Sequence, residues 1–284
     1  MKKILFVTDS CADLPYNFLG DNIKVVPIRY GYKGERGDYR DYRYHGKVAN
    51  TRRDTHLIES MGVSYVEALN IFNYATDNNM DVICLYSSGK MDPKNMKAFE
   101  TAAEDFKSSN PDLRITCMDS GNISQGLGLL FTKITELYED HRCYDEIVCY
   151  IAQNLNKYRF DIETDDLDYF DDKEKMGFID RFILHSAGSG ASLLTVKGGR
   201  VAVAKKCNDL AKRRDILIER FVNDADLTEP AMVVYNDEYP FEAEALVDRL
   251  RKSTYRGNID LIEASRVSGS KIRPYSLGLA YKTK

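Results

Sequence analysis

A chain of 284 residues with 43% hydrophobic and 30% charged side chains and a formal net charge of −4 has the balance of an ordinary globular protein of one large or two medium domains. The mild negative charge disfavours a nucleic-acid partner, and the basic cluster Lys205-Lys206 with Lys212-Arg213-Arg214 reads as a solvated helix face. The first apolar run, Ile4 to Val7, is too short for a signal peptide or a membrane span, and the six cysteines contain no CxxC pair to indicate zinc or a disulfide framework, so a reducing, cytoplasmic setting without stable membrane insertion is expected.

In chain order, residues 3–7 predict a buried strand that ends in Thr8-Asp9-Ser10. Leu14 to Leu19 predicts a short helix, and residues 23–28 a second strand, with Pro27 marking an edge or a strand end. A polar excursion rich in tyrosine (Tyr30, Tyr32, Tyr39, Tyr42 and Tyr44) runs to about Ser60. Ser64 and Glu67 have the spacing of an N-cap and capping box for a helix reaching about Asn78. Strands follow at 81–86 and 113–118, and helices at about 95–106 and 125–140. Cys84, Cys117 and Cys149 each sit in an apolar, strand-like run and read as buried core thiols. Past residue 160, a polar acidic stretch (161–175) leads into a helix. Next come a strand at 193–196, a helix at 209–223, strands at 231–235, 259–263 and 277–281, and a helix at 241–252. Strands alternating with helices imply a mainly parallel sheet covered on both faces. The expected fold is therefore α/β, with two α/β domains at 1–160 and 161–284.

Three predicted strands end in hydroxyl or carboxylate residues: Thr8-Asp9-Ser10, Ser87-Ser88 and Asp119-Ser120. In open α/β sheets the ligand crevice lies beyond the carboxyl ends of the strands. The plainer reading is that these residues cap the following helices. Lys197-Gly198-Gly199-Arg200 lacks the GxxxxGK(S/T) spacing of a phosphate loop and reads as a hairpin turn. There is no GxSxG elbow. The acidic run 165–172 lacks the calcium-loop spacing, and His185 reads as a core histidine.

Taken together, these segments resemble the DegV family, whose members are similar to the fatty-acid-binding B subunit of bacterial fatty acid kinase. Thr8-Asp9-Ser10 with Asp13-Leu14-Pro15 matches that family's TDS-x-x-DLP opening, and Val26-Pro27-Ile28 its VPL strand. Ser60-Met61-Gly62-Val63-Ser64 sits where the family has Thr-Ser-x-x-Ser. Ser87-Ser88 begins its SS-x-LSGT motif. Asp119-Ser120 with Gln125-Gly126-Leu127-Gly128 fits DS-x-x-x-S-x-GLG, and Leu193-Leu194-Thr195-Val196-Lys197 resembles LLxIKP.

The resemblance implies two α/β domains with the ligand cleft between them and an acyl chain in a buried tunnel. Hydroxyls from the two serine motifs and a histidine near the C-terminus would meet the carboxylate of a bound fatty acid. It also implies a binding protein with no catalytic residues, metal or cofactor of its own, which presents its ligand to the catalytic subunit of a fatty acid kinase. The candidate ligand-binding residues are Thr8, Asp9, Ser10, Ser60, Ser87, Ser88, Asp119, Ser120 and Lys271. Three departures stand out. Lys90-Met91-Asp92-Pro93 replaces LSGT, Lys271 stands where the family has its histidine, and Met176-Gly177-Phe178-Ile179 replaces a glycine-rich segment. Lys271, on the loop before Pro274, is expected either to contact the ligand's carboxylate or to project into solvent. The alternatives are a ligand-free or altered-ligand scaffold and, third, a small-molecule hydrolase or transferase using the strand-end groups.

Overall fold

The structure, a computed structural model, describes residues 2–15, 18, 20–41, 58–164, 176, 192–236, 239–272 and 276–284. Tyr42, Tyr44, the acidic run 165–175, the helix expected after it, His185 and residues 177–179 of the altered glycine-rich segment lie outside the described residues.

The first sheet is parallel throughout. Its strands are β1 (Ile4–Asp9), β2 (Ile23–Val26), β6 (Asp81–Tyr86) and β7 (Ile115–Asp119), in the order β2-β1-β6-β7. Every residue of β1 and β6 is buried. The alternation of Ile4 and Phe6 with Leu5 and Val7 between two core clusters shows that the sheet is covered on both faces, which is why these strands read as unbroken apolar runs. Pro27 ends the edge strand β2. The chain then leaves the sheet and does not loop aimlessly. β3 (Ile28–Tyr32), β4 (Tyr39–Arg40) and β5 (Ile58–Val63) form a small antiparallel sheet. The rings of Tyr30, Tyr32 and Tyr39 pack together on it with centroids 5.5–5.9 Å apart.

Within the stretch expected to be a short helix, Leu14–Leu19, the described Phe18 is in a 3-10 turn and its N–H donates to the Pro15 carbonyl at 3.0 Å; a separate 3-10 turn precedes it at Ser10–Ala12. Asp9 starts this turn directly at the strand end by accepting the Cys11 N–H at 2.9 Å. Leu14 and Pro15 are irregular, and residues 16, 17 and 19 lie outside the described residues.

Helices α1 (Tyr65–Asp77) and α2 (Pro93–Ser109) cover the outer face of the parallel sheet. Ser64 caps α1 through the Glu67 N–H, but the Glu67 carboxylate turns away to Arg40, leaving the capping box half formed. The inner face packs on α3 (Ser124–Glu139) and α4 (Tyr144–Asn154). The run around Cys149 is thus a helix and not a strand. Tyr144, Ile147 and Ile151 supply its buried stripe at helical spacing, and Cys149 is exposed. Cys117 is half-buried, and Cys84 is buried as expected.

The second sheet comprises β8 (Tyr158–Thr164), β9 (Ser192–Lys197), β10 (Arg200–Lys206), β11 (Ala231–Tyr235), β12 (Ile259–Glu263) and β13 (Leu277–Lys282). Its order is β10-β9-β8-β13-β11-β12, with β11 and β12 parallel and the other pairs antiparallel. Its inner face meets α3 and its outer face α5 (Leu210–Asp224) and α6 (Pro240–Arg251). Residues 161–164, the start of the stretch read as polar and acidic, are the end of strand β8. Asp161 and Glu163 are buried toward α5, where Arg220 and Arg214 pair with them at 3.3 and 3.2 Å. The helix face of Arg213 and Arg214 is accordingly not a solvated one: Arg213 is 1% exposed and donates to the Cys207 carbonyl. Lys197-Gly198-Gly199-Arg200 forms the β9–β10 hairpin turn, with both glycines at positive φ. Strands of the parallel sheet all lie at or before Asp119 and those of the mixed sheet at or after Tyr158. On that basis we propose the division of the chain near residue 160.

Phe221 is fully buried on α5, and its ring packs on Tyr255 and Tyr281 with centroids 4.9 and 5.2 Å away. Phe221→Ala is expected to cost about 3–5 kcal/mol in urea denaturation. Phe241→Ala, at a position 79% exposed, should change stability by less than about 0.5 kcal/mol.

Candidate functional site

The carboxyl ends of β1 and β6 meet the start of α2 at Asp9. This carboxylate has no exposure and accepts hydrogen bonds from the Ser87 N–H at 2.7 Å, the Asn95 Nδ2 at 2.8 Å and the Cys11 N–H. Asn95 also donates to Ser87 Oγ and accepts the Val63 N–H. Burial pushes the Asp9 carboxyl above its ordinary value, while its hydrogen-bond donors and the charge of Lys271 pull it back.

Lys271 lies on α7 (Arg266–Ile272), a short helix where the sequence suggested a loop. It is 5% exposed, so it does not project into solvent. Its Nζ donates to Asp92 Oδ2 at 3.3 Å, and Ser60 Oγ on β5 donates to the same oxygen at 2.5 Å. Asp92 is itself 4% exposed, and its Oδ1 accepts the Asn95 N–H as the N-cap of α2, with Pro93 in the first helical turn. Gly62 permits the approach of β5 to α2. Its φ is +73°, and a Cβ there would lie 2.8 Å from the Asn95 nitrogen. Ser60, Asp92 and Lys271 therefore converge on one buried point.

Two further aspartates hold α7 in place. Asp13 accepts the Ser265 N–H at 2.8 Å, and Asp41 accepts the Arg266 and Val267 N–H groups at 3.1 and 3.2 Å. Ser10 Oγ accepts the Ile28 N–H and donates to Asp41. Burial raises the Asp41 carboxyl to about 6, against the opposing pull of its donors.

The remaining candidates face elsewhere. Ser88 Oγ donates to the Gly199 carbonyl at 2.8 Å, tying the strand end to the β9–β10 hairpin. Asp119 accepts the Gly89 and Gly121 N–H groups, and Ser120 bonds to the Asn122 backbone. All three bond to loop backbone and none caps the following helix, since α2 is capped by Asp92 and Ile123 at the start of α3 makes no side-chain cap; Ser120 also borders a crevice of about 640 Å³ under the hairpin. Thr8 is buried, and its Oγ1 has no hydrogen-bond partner among the described residues. Sequence reading missed Asp92 as a site residue. The signal was present in Asp92-Pro93, an N-cap and first-turn pair standing in place of the LSGT segment.

The fold and this buried polar junction define a three-sheet α/β protein with its candidate site at the strand ends of the parallel sheet, where a helix from the mixed-sheet half docks. The family model described as "DegV: Uncharacterised protein, DegV family" matches residues 3–284, and the chain belongs to the DegV family. A DegV domain-containing protein from Clostridium acetobutylicum is 24% identical over 247 residues, 84% of each chain. A DegV family protein from Thermus thermophilus, whose solved structure is described by its fatty acid binding, superposes with a TM-score of 0.84 at 22% identity over 99% of both chains. A fat acid (stearic acid)-binding protein from Eubacterium ventriosum gives a TM-score of 0.80 at 18% identity over 99% of both chains. These likenesses show the fold.

Two outcomes follow from the geometry. The folded state holds the Asp41 proton more tightly than the unfolded chain, whose carboxyl has the ordinary value of 3.8. The stability contributed by Asp41 is thus present below about pH 4 and lost as pH rises through about 6. Between pH 4 and 7, urea denaturation should show Asp41→Asn gaining on the parent by on the order of 3 kcal/mol. Lys271→Met should cost about 3–5 kcal/mol in the same assay, because it leaves Asp92 buried without this cation. Adding Asp92→Asn should restore most of that loss.

Proposed function

We propose that this protein binds a long-chain, fatty-acid-like ligand, with the chain in its apolar interior and the polar end at Ser60, Asp92 and Lys271. The observation that carries this reading is the meeting of Ser60 on β5 with Lys271 on α7 at one buried point, within a fold shared by fatty-acid-binding relatives. Ser87 stands beside this point through Asn95 and Asp9. The protein acts as a carrier without cofactor chemistry of its own and hands its ligand to a separate kinase subunit in the cytoplasm. This last part rests on the family resemblance alone. No helix among the described residues is long and apolar enough to cross a membrane.

A second reading, a scaffold whose site has changed its ligand or lost it, draws on one specific observation: the Asp92 carboxylate is already paired with the cation expected to meet the ligand.

Transfer of an alkyl chain out of water is favourable by about 0.8 kcal/mol per CH₂, so a ligand acquired during expression should survive purification. Mass spectrometry of the denatured protein is expected to release a long-chain lipid. After delipidation, Ser60→Ala should weaken rebinding by about 0.5–1.5 kcal/mol. A lipid-free preparation that takes up neither palmitate, oleate nor a long-chain alcohol would remove the carrier reading and leave the scaffold.

A further inference from the structure

We propose that the headgroup site takes a neutral, hydrogen-bond-donating polar end, such as a fatty alcohol, a primary fatty amide or a fatty acid in its protonated form, in preference to a carboxylate. This inference deepens the lipid-carrier reading and rests on it. Its origin is the carboxylate that the protein itself supplies. Asp92 Oδ2 accepts from Ser60 Oγ at 2.5 Å and from Lys271 Nζ at 3.3 Å. Those are the hydroxyl and the cation that a ligand carboxylate would otherwise use. Asp92 thus fills the electrostatic role of the headgroup from within the chain.

Asp92 is poorly placed to yield that position to a ligand. Its second oxygen caps α2 through the Asn95 N–H, and the residue is 4% exposed. Turning it away would break the cap and leave a carboxylate buried without its ammonium, a costly arrangement. Among the described residues, the charge around Lys271 is mainly acidic. The fully buried Asp9 also lies within the electrostatic reach of Lys271, while Asp13 and Asp41 sit beneath the start of the same helix. A further carboxylate would enter a neighbourhood that is already negative and withdrawn from water, where like charges repel most strongly.

A neutral donor meets none of this repulsion. A hydroxyl or amide can donate to Asp92, whose carboxylate has more than one lone pair to offer. The helix that carries Lys271 also brings a buried hydroxyl. Ser268 precedes Lys271 by three residues and so shares its face of α7. Its Oγ is buried and has no hydrogen-bond partner among the described residues.

The test compares matched chains on the delipidated full-length protein at pH 8. Hexadecanol, hexadecanamide and palmitate each compete with an uncharged fluorescent long-chain alcohol, in the parent and in Asp92→Asn. Asparagine preserves the size and the capping oxygen of Asp92 while releasing Lys271 from its internal anion. The alcohol and the amide are expected to bind the parent at least about tenfold more tightly than palmitate, and Asp92→Asn to shift that ratio by about tenfold or more toward palmitate. Palmitate binding the parent as tightly as the alcohol would overturn the proposal while leaving the carrier reading intact. So would an unchanged ratio in an Asp92→Asn variant that keeps the parent's circular dichroism. Should that variant fail to fold, the parent's ratio decides alone. If none of the three chains binds, the carrier reading falls and this proposal with it.

Discussion

The Asp9 carboxylate accepts hydrogen bonds from three separate stretches of chain: the turn after β1, the end of β6 and the first turn of α2. A buried carboxylate is tolerable only when its lone pairs are satisfied, so this residue and its donors constrain one another. Because Asn95 is held there, the α2 N-terminus is fixed. Because α2 is fixed, its cap Asp92 stands where Ser60 and Lys271 can reach it. The candidate site is in this sense a product of how two parallel strands finish, and the alignment of β1 with β6 reaches Asp92 through the Asp9 carboxylate and the Asn95 side chain.

The same region gathers buried acids around one lysine. Asp9, Asp13, Asp41 and Asp92 are all buried, and Lys271 is the cation that reaches two of them. Backbone N–H groups carry much of the remaining load: Asp13 and Asp41 are met by the amides that open α7, where the helix dipole also favours negative charge. A helix from the mixed-sheet half is thereby clamped by acids from the other half, and the clamp sets the depth at which Lys271 enters.

Where the apolar pattern was strong, the sequence could be read directly. Residues 81–86, 231–235 and 259–263 are strands with the expected limits, and Ser64 caps its helix as its spacing implied. The Ser60 and Lys271 meeting point was accessible only through the family resemblance, since 211 positions separate the two residues. Errors cluster where charge is buried. The end of β8 reads as part of a polar acidic stretch because Asp161 and Glu163 find their arginines on α5, far away in sequence. The α7 segment, Arg266-Val267-Ser268-Gly269-Ser270-Lys271-Ile272, has weak intrinsic helix propensity and is helical because Asp13 and Asp41 hold its first amides. Asp92 looked like a loss of motif, yet it is a cap and an ion-pair partner at once. Local pattern reports which side chains avoid water; it does not report which charges have found one another.

The middle layer has one more implication. Leu127, Leu130, Phe131 and Ile134 of α3 belong to a single core that also takes in Phe6 and Ile83 from the parallel sheet and Phe160, Leu194, Met232 and Val234 from the mixed one. Neither sheet owns its inner covering. A cut after Lys157 would give α3 and α4 to one fragment and strip the inner face of the other bare. Each large sheet has an outer core of its own, but the layer between them is one shared core, and what separates the sheets is a party wall, not a hinge.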